Sequence, residues 1–225
     1  MYSINLRALV PFLQHVAYDM HEPVMIWGGA GTGKSEAVAE MALRKIRNGV
    51  LVDVRLSQYD SVDLRGFPGV DGTQQQTVWY APSTLPFKGN PKFDENGPTI
   101  TLFLDEINAA VPATAAVAYQ LINDRAVGEH VLMDNVVVVA AGNRDGDGGV
   151  TNRMPAPLAN RFTHVEVVVD VDAWCEWATR KGLPPIGPAF LQFRRTLLST
   201  YDAKKPAKAF ASPRTWFKAL RYYDA

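Results

Sequence analysis

Eight residues constrain the fold of this 225-residue chain more than any others: Gly28-Gly29-Ala30-Gly31-Thr32-Gly33-Lys34-Ser35. They fit the pattern G-x-x-x-x-G-K-[ST] in full. Upstream, Val24-Met25-Ile26-Trp27 is a short apolar run that the glycines end, and downstream Ala37, Val38, Met41 and Ala42 recur at helical spacing between Ser35 and Arg47. A strand, a glycine-rich loop and a helix are the setting in which the pattern has a mechanical meaning. Gly28, Gly29, Gly31 and Gly33, with Ala30 and Thr32 between them, let the backbone wrap close to phosphates with its N–H groups turned inward, and the helix adds the positive end of its dipole. Lys34 supplies a point charge to the β and γ phosphates, and Ser35 offers a hydroxyl to Mg²⁺. The ligand this loop predicts is a nucleoside triphosphate.

The rest of the chain repeats the strand and helix alternation. Leu6, Leu9, Val10, Leu13, Val16 and Ala17 predict an amphipathic helix before the first strand. Further strands are expected at 50–54, 100–104, 136–141 and 164–169, with helical patterns between most of them, notably Thr114 to Arg125. Short apolar strands alternating with helices predict the α/β class, a three-layer sandwich around a central five-stranded parallel sheet. Two stretches interrupt the alternation. Residues 57–98 are rich in Gly and Pro and too long for a plain connection, which predicts a functional insertion with short elements of its own, whose aromatics Phe67, Trp79 and Phe93 either contact a partner or the ring pore or fill a local mini-core. Residues 142–157 hold four glycines and two prolines and read as a loop. From Asp172 only helical patterns remain, at 172–181, 188–200 and 213–223. The expected organisation is a nucleotide-binding core over 1–170 and a helical lid, short or incomplete, over 171–225.

Composition narrows the function classes. Apolar residues make up 47% and charged residues 20%, a globular balance, and the longest apolar run is far below the ~20 residues of a membrane span. No basic leader with a small-residue cleavage site opens the chain, and Cys175 stands alone, so no disulfide or thiolate metal site can form within it. A cytoplasmic location and no membrane role are the expectation. Formal net charge is zero, which argues against direct nucleic-acid binding. The charge is split: residues 1–170 carry 13 basic and 19 acidic side chains, residues 171–225 carry 10 and 4. A basic lid set against an acidic core, its own or a neighbour's, is one reading of that split, and a chance division of surface charge is the other.

A phosphate loop needs an acidic partner at the tip of a nearby strand. Leu102-Phe103-Leu104-Asp105-Glu106 has that form, with Asp105 placed to hold the Mg²⁺ shell and Glu106 to polarise the attacking water. Two carboxylates after a buried strand are costly without a cation or water to meet them. Asn143, at the end of the strand near 136–141, is suited to orient that water, because ligands of open α/β sheets gather at the C-terminal edge.

In this order the pieces resemble the AAA+ ATPases, and within them the MoxR and dynein-related branch, with the NorQ and CbbQ activators and the McrB GTPases. The resemblance rests also on Arg55-Leu56-Ser57-Gln58, Asp63-Leu64-Arg65-Gly66, Val78-Trp79-Tyr80 with Pro82 and Leu85-Pro86, Asp105-Glu106-Ile107-Asn108-Ala109, Leu158-Ala159-Asn160-Arg161-Phe162 and Ser212-Pro213-Arg214-Thr215, and covers residues 22–216. It implies Asn143 as a first sensor, Arg161 as a finger inserted into a neighbour's site and Arg214 as a second sensor on the lid. It further implies ATP and Mg²⁺ as cofactors and a homo-oligomeric ring of six that remodels or activates a partner protein, including partners with a von Willebrand factor A domain. Two departures stand out: Ala109 where the family has arginine, and a Gly- and Asp-rich stretch at 144–149 after the sensor asparagine. Alternatives of other classes are a GTP-using motor of the McrB kind working with a nucleic-acid-processing partner, and an assembly module that hydrolyses nucleotide slowly.

Overall fold

The computed structural model describes residues 2–73, 76–144, 152, 154–202 and 209–223. Among the described residues the strands are, in chain order, β1 (Tyr2–Ile4), β2 (Val24–Trp27), β3 (Val50–Arg55), β4 (Phe67–Asp71), β5 (Gln76–Tyr80), β6 (Ile100–Asp105), β7 (Ala126–Val127), β8 (His130–Val131), β9 (Val136–Gly142) and β10 (Thr163–Val167). The helices are α1 (Leu6–Leu13), α2 (Lys34–Glu40), α3 (Ser61–Arg65), α4 (Pro112–Asp124), α5 (Ala156–Ala159), α6 (Val171–Arg180), α7 (Ile186–Phe193) and α8 (Pro213–Tyr223). Wider π-type turns extend α1 through Gln14–Asp19 and α2 through Met41–Lys45.

The central sheet has six strands in the order β1-β10-β2-β9-β6-β3, all parallel. The α/β class and the parallel sheet expected from the sequence are present, but the count of five is corrected to six. The extra strand, β1, precedes the first helix and pairs with β10 through Tyr2↔Val165 to Ile4↔Val167. It leaves little apolar pattern because it lies at the sheet edge, where Ile4 alone of its three residues is buried. β9 lies at the other extreme, with all seven residues buried. Its side chains alternate between two cores: Val136, Val138 and Ala140 pack with α4 on one face, and Val137, Val139 and Ala141 with α1 and α2 on the other. Burying a Val or Leu fully contributes roughly 1.5–3 kcal/mol, so this strand anchors the sheet from both sides.

The insertion contains α3, started by a reciprocal capping box between Asp60 and Asp63, and the antiparallel β4–β5 hairpin. Phe67 (63% exposed), Val70 and Tyr80 of the hairpin stand in solvent. Trp79 lies under the Arg65 guanidinium, whose carbon is 5.8 Å from the ring centroid. Phe93, open to either reading, packs against the core beneath β6 and β9. Helices α6, α7 and α8 enclose a small core of their own around Trp174, Cys175, Ala178, Leu191 and Leu220. Two exposed ion pairs tie them to the sheet side, Lys181–Glu36 at 3.1 Å and Arg7–Glu176 at 3.2 Å. The first has the polarity of a basic lid on an acidic core and the second the reverse, and exposed pairs of this kind contribute little.

Candidate functional site

Three strand ends converge at the C-terminal edge of the sheet. β2 runs into the glycine loop, β6 ends at Asp105 and β9 ends at Gly142, and β9 lies between the other two. Gly31 (φ 76°) and Gly33 (φ 99°) take left-handed backbone angles that side chains disfavour, and a Cβ on Gly31 would lie 2.9 Å from Ser212 Oγ, just before α8. The loop interior is organised by its own polar groups. Lys34, itself buried, donates from Nζ to the carbonyls of Gly28 (2.6 Å) and Gly29 (3.1 Å) and to Asn143 Oδ1 (3.4 Å). Thr32 Oγ1 donates to the Gly29 carbonyl at 3.0 Å. Lys34 and Asn143, 109 positions apart in sequence, are thus brought to one point.

Ser35 Oγ donates to Asp105 Oδ2 at 2.9 Å, so the hydroxyl and the carboxylate expected to share a Mg²⁺ face each other across the loop. The other carboxylate oxygen of Asp105 accepts the Glu106 N–H at 2.9 Å. The donor set fits Mg²⁺, which takes hard oxygens and needs only one or two protein ligands when phosphates and waters complete its octahedron. Among the described residues no cluster of three or more His, Cys, Asp or Glu could hold a metal by itself. Glu106 adopts a left-handed conformation (φ 56°, ψ 34°) at the turn after β6, a strained geometry for a side chain of its size. Its carboxylate accepts a short hydrogen bond from Ser57 Oγ in the turn Leu56–Gln58 that follows β3. Burial, and after it the nearby Asp105 carboxylate, push the Asp53 carboxyl above its ordinary range, with Arg55 pulling the other way.

The C-terminal helices approach from the other side. Arg214, in the first turn of α8, donates its backbone N–H to the Gly31 carbonyl at 3.3 Å. A cavity of about 980 Å³ opens between the glycine loop, α1 and helices α6 and α8, lined among others by Gly31, Thr32, Leu6, Trp177, Arg214 and Phe217. Its volume is ample for a nucleoside triphosphate.

Arg161 is elsewhere. It follows α5 and precedes β10, whose first residue, Thr163, donates its N–H to the Pro23 carbonyl at the start of β2. The glycine loop follows the far end of β2, and four residues of strand put about 13 Å between the two edges. Arg161 is exposed and pairs with no acidic side chain among the described residues. Within one chain the structure thus gathers Gly28 to Ser35, Asp105, Glu106, Asn143 and Arg214, and leaves Arg161 at the opposite edge. Of the stretch 144–149, Arg144 pairs with Glu166 at 3.0 Å, while 145–149 lie outside the described residues. Sequence reasoning assigned no role to Ser57 or Asn108. The partner of Ser57 is 49 positions away and that of Asn108 is 35 positions away, separations at which no local pattern operates.

No family model matches the chain, and no curated protein sequence does. Solved structures match its fold. The closed state of Hsp104 with ATPγS and FITC casein is 15% identical, with a TM-score of 0.56, over 89% of this chain and 40% of that one. NtrX from Brucella abortus is also 15% identical, with a TM-score of 0.50, over 96% of this chain and 49% of that one. The chain spans less than half the length of either protein. The shared fold is a P-loop α/β fold, a parallel sheet with helices on both faces and the glycine loop at its C-terminal edge.

Proposed function

We propose that this chain is a Mg²⁺-dependent ATPase of the AAA+ class whose active site is completed by a second copy of itself. The convergence of Lys34, Ser35, Asp105 and Asn143 at one sheet edge carries the reading. Lys34 holds the β and γ phosphates, exchanging its present carbonyl partners for them. When bound, Mg²⁺ would supply positive charge against the charge that develops on the phosphates. Ser35 and Asp105 hold its shell. Glu106 accepts the proton of the attacking water, Asn143 orients that water, and Arg214 contacts the phosphates from the lid. Arg161, remote from its own loop, acts on the γ-phosphate of the adjoining subunit, which makes turnover depend on assembly. A ring of six, a MoxR-like role in activating a partner protein, and a partner with a von Willebrand factor A domain are the finer parts of this proposal, supported by the motif resemblance. The core and lid division at 170/171 belongs to it too. The test is Mg²⁺-dependent phosphate release from ATP by the purified chain. Release that survives Glu106→Gln would contradict the reading.

A further inference from the structure

Asn108 is 2% exposed and lies two residues beyond Glu106, on the short turn Ile107–Ala109 that the Glu106 carbonyl closes by accepting the Ala109 N–H at 2.9 Å. Its side-chain amide grips the backbone of Asn143 from both sides. Asn108 Nδ2 donates to the Asn143 carbonyl at 2.7 Å, and Asn108 Oδ1 accepts the Asn143 N–H at 3.2 Å. Only one orientation of the amide satisfies both groups, so the clasp fixes its own direction. A third hydrogen bond runs from the Asn152 N–H to the Asn108 carbonyl at 2.6 Å, and Asn152 Nδ2 donates to the Ala110 carbonyl at 2.8 Å. The chain leaving Asn143 is therefore fastened back to the Asn108 turn where it returns at Asn152.

The turn that carries Glu106 and the strand end that carries Asn143 are not joined by sheet pairing. β6 and β9 pair only up to Leu104↔Ala140, short of both residues. Beyond that point Asn108 is the bridge, and the side chain it leaves free to project, that of Asn143, reaches Lys34 Nζ. Gly142 fits the same arrangement: a Cβ there would lie 2.6 Å from Asn108 Oδ1.

We propose that Asn108 is a positioning residue for hydrolysis, holding Asn143 at a fixed place relative to Glu106 so that one water can meet both. The proposal rests on the ATPase reading above and adds to it a group that touches neither nucleotide nor water. Misplacing a catalytic group by about 1 Å can cost on the order of 100-fold in rate without loss of binding. Asn108→Ala should accordingly lower kcat by about that factor while leaving the Kd for a fluorescent ATP analogue within about threefold. Gly142→Ala, which opens the clasp from the other side, should act in the same direction.

The deciding experiment is a double-mutant cycle in the full chain, with kcat, analogue Kd and thermal midpoint measured for wild type, Asn108→Ala, Asn143→Ala and the double variant. If Asn108 acts through Asn143, the double variant turns over no more slowly than Asn143→Ala alone, within about twofold. Multiplied losses in the double variant, an Asn108→Ala kcat close to wild type, or a joint fall of binding and thermal midpoint each overturn the proposal. A wild-type chain that binds the analogue and releases no phosphate overturns the ATPase reading itself, and is recognised before any variant is compared.

Discussion

The two edges of the central sheet are built in opposite ways. At the C-terminal edge the polar side chains are engaged with one another: Lys34 with the loop carbonyls and Asn143, Ser35 with Asp105, Ser57 with Glu106, and Asn108 with the Asn143 backbone. At the N-terminal edge Arg161 is exposed and has no acidic partner among the described residues. An engaged cluster is set in place before a ligand arrives and loses little freedom on binding one. A solvated arginine on a short loop contributes only once another surface desolvates it. The contrast teaches that one edge is organised within the single chain, while Arg161 stands exposed at the other edge, where the proposed function gives it a role only in an assembly.

The largest expected effects lie at the organised edge. Lys34→Ala should abolish binding of a fluorescent ATP analogue, because it removes the charge that meets the phosphates. Glu106→Gln should bind the analogue like wild type and lose turnover by on the order of 10³-fold, since it keeps the shape and loses the base. Equal affinities for the two variants would break the comparison, for the edge would then hold no division between cradle and base.

A smaller effect is expected from Asp53. Its carboxyl is raised in the folded state, by burial first and by Asp105 second, so its ionised form opposes folding. A raised folded value means that the folded chain holds this proton more tightly than the unfolded chain, and stability from this group grows as pH falls through that value. Asp53→Asn should therefore raise the urea midpoint modestly at pH 7, with an advantage that shrinks as pH is lowered toward 4. The group is largely solvated, which keeps the effect small. An advantage that grows on acidification would show that Asp53 is stabilised as the anion.

The smallest effect is expected at the hairpin tip. Phe67 is 63% exposed, so Phe67→Ser should change stability by no more than about 0.5 kcal/mol and leave ATP turnover unchanged. A stability loss above about 2 kcal/mol in a urea melt would mean that the ring is buried in the protein as it exists in solution.

Much of this architecture is legible in the residues because parallel strands covered on both faces leave uninterrupted apolar runs, as Val136 to Ala141 does, and because the glycine loop carries its own context. What escapes has a physical reason in each case. β1 has a single buried side chain, too little to distinguish from loop. Phe93 and Phe67 look alike in sequence, and packing alone decides that the first joins the core while the second faces solvent. The roles of Ser57 and Asn108 follow from the pairing of β3 with β6 and of β6 with β9, which the chain does not spell out locally.

The split between the two edges is tested most directly by mixing two variants that are each inactive. Arg161→Ala keeps an intact glycine loop and lacks the finger; Lys34→Ala keeps the finger and lacks the loop lysine. Each alone should fall to about 10⁻³ of wild-type turnover. Combined, they create interfaces at which one chain's loop meets the other's Arg161, and phosphate release should reappear and rise with protein concentration, as expected of a site that exists only in the assembled form. Full turnover by Arg161→Ala alone, at every concentration, would contradict the account.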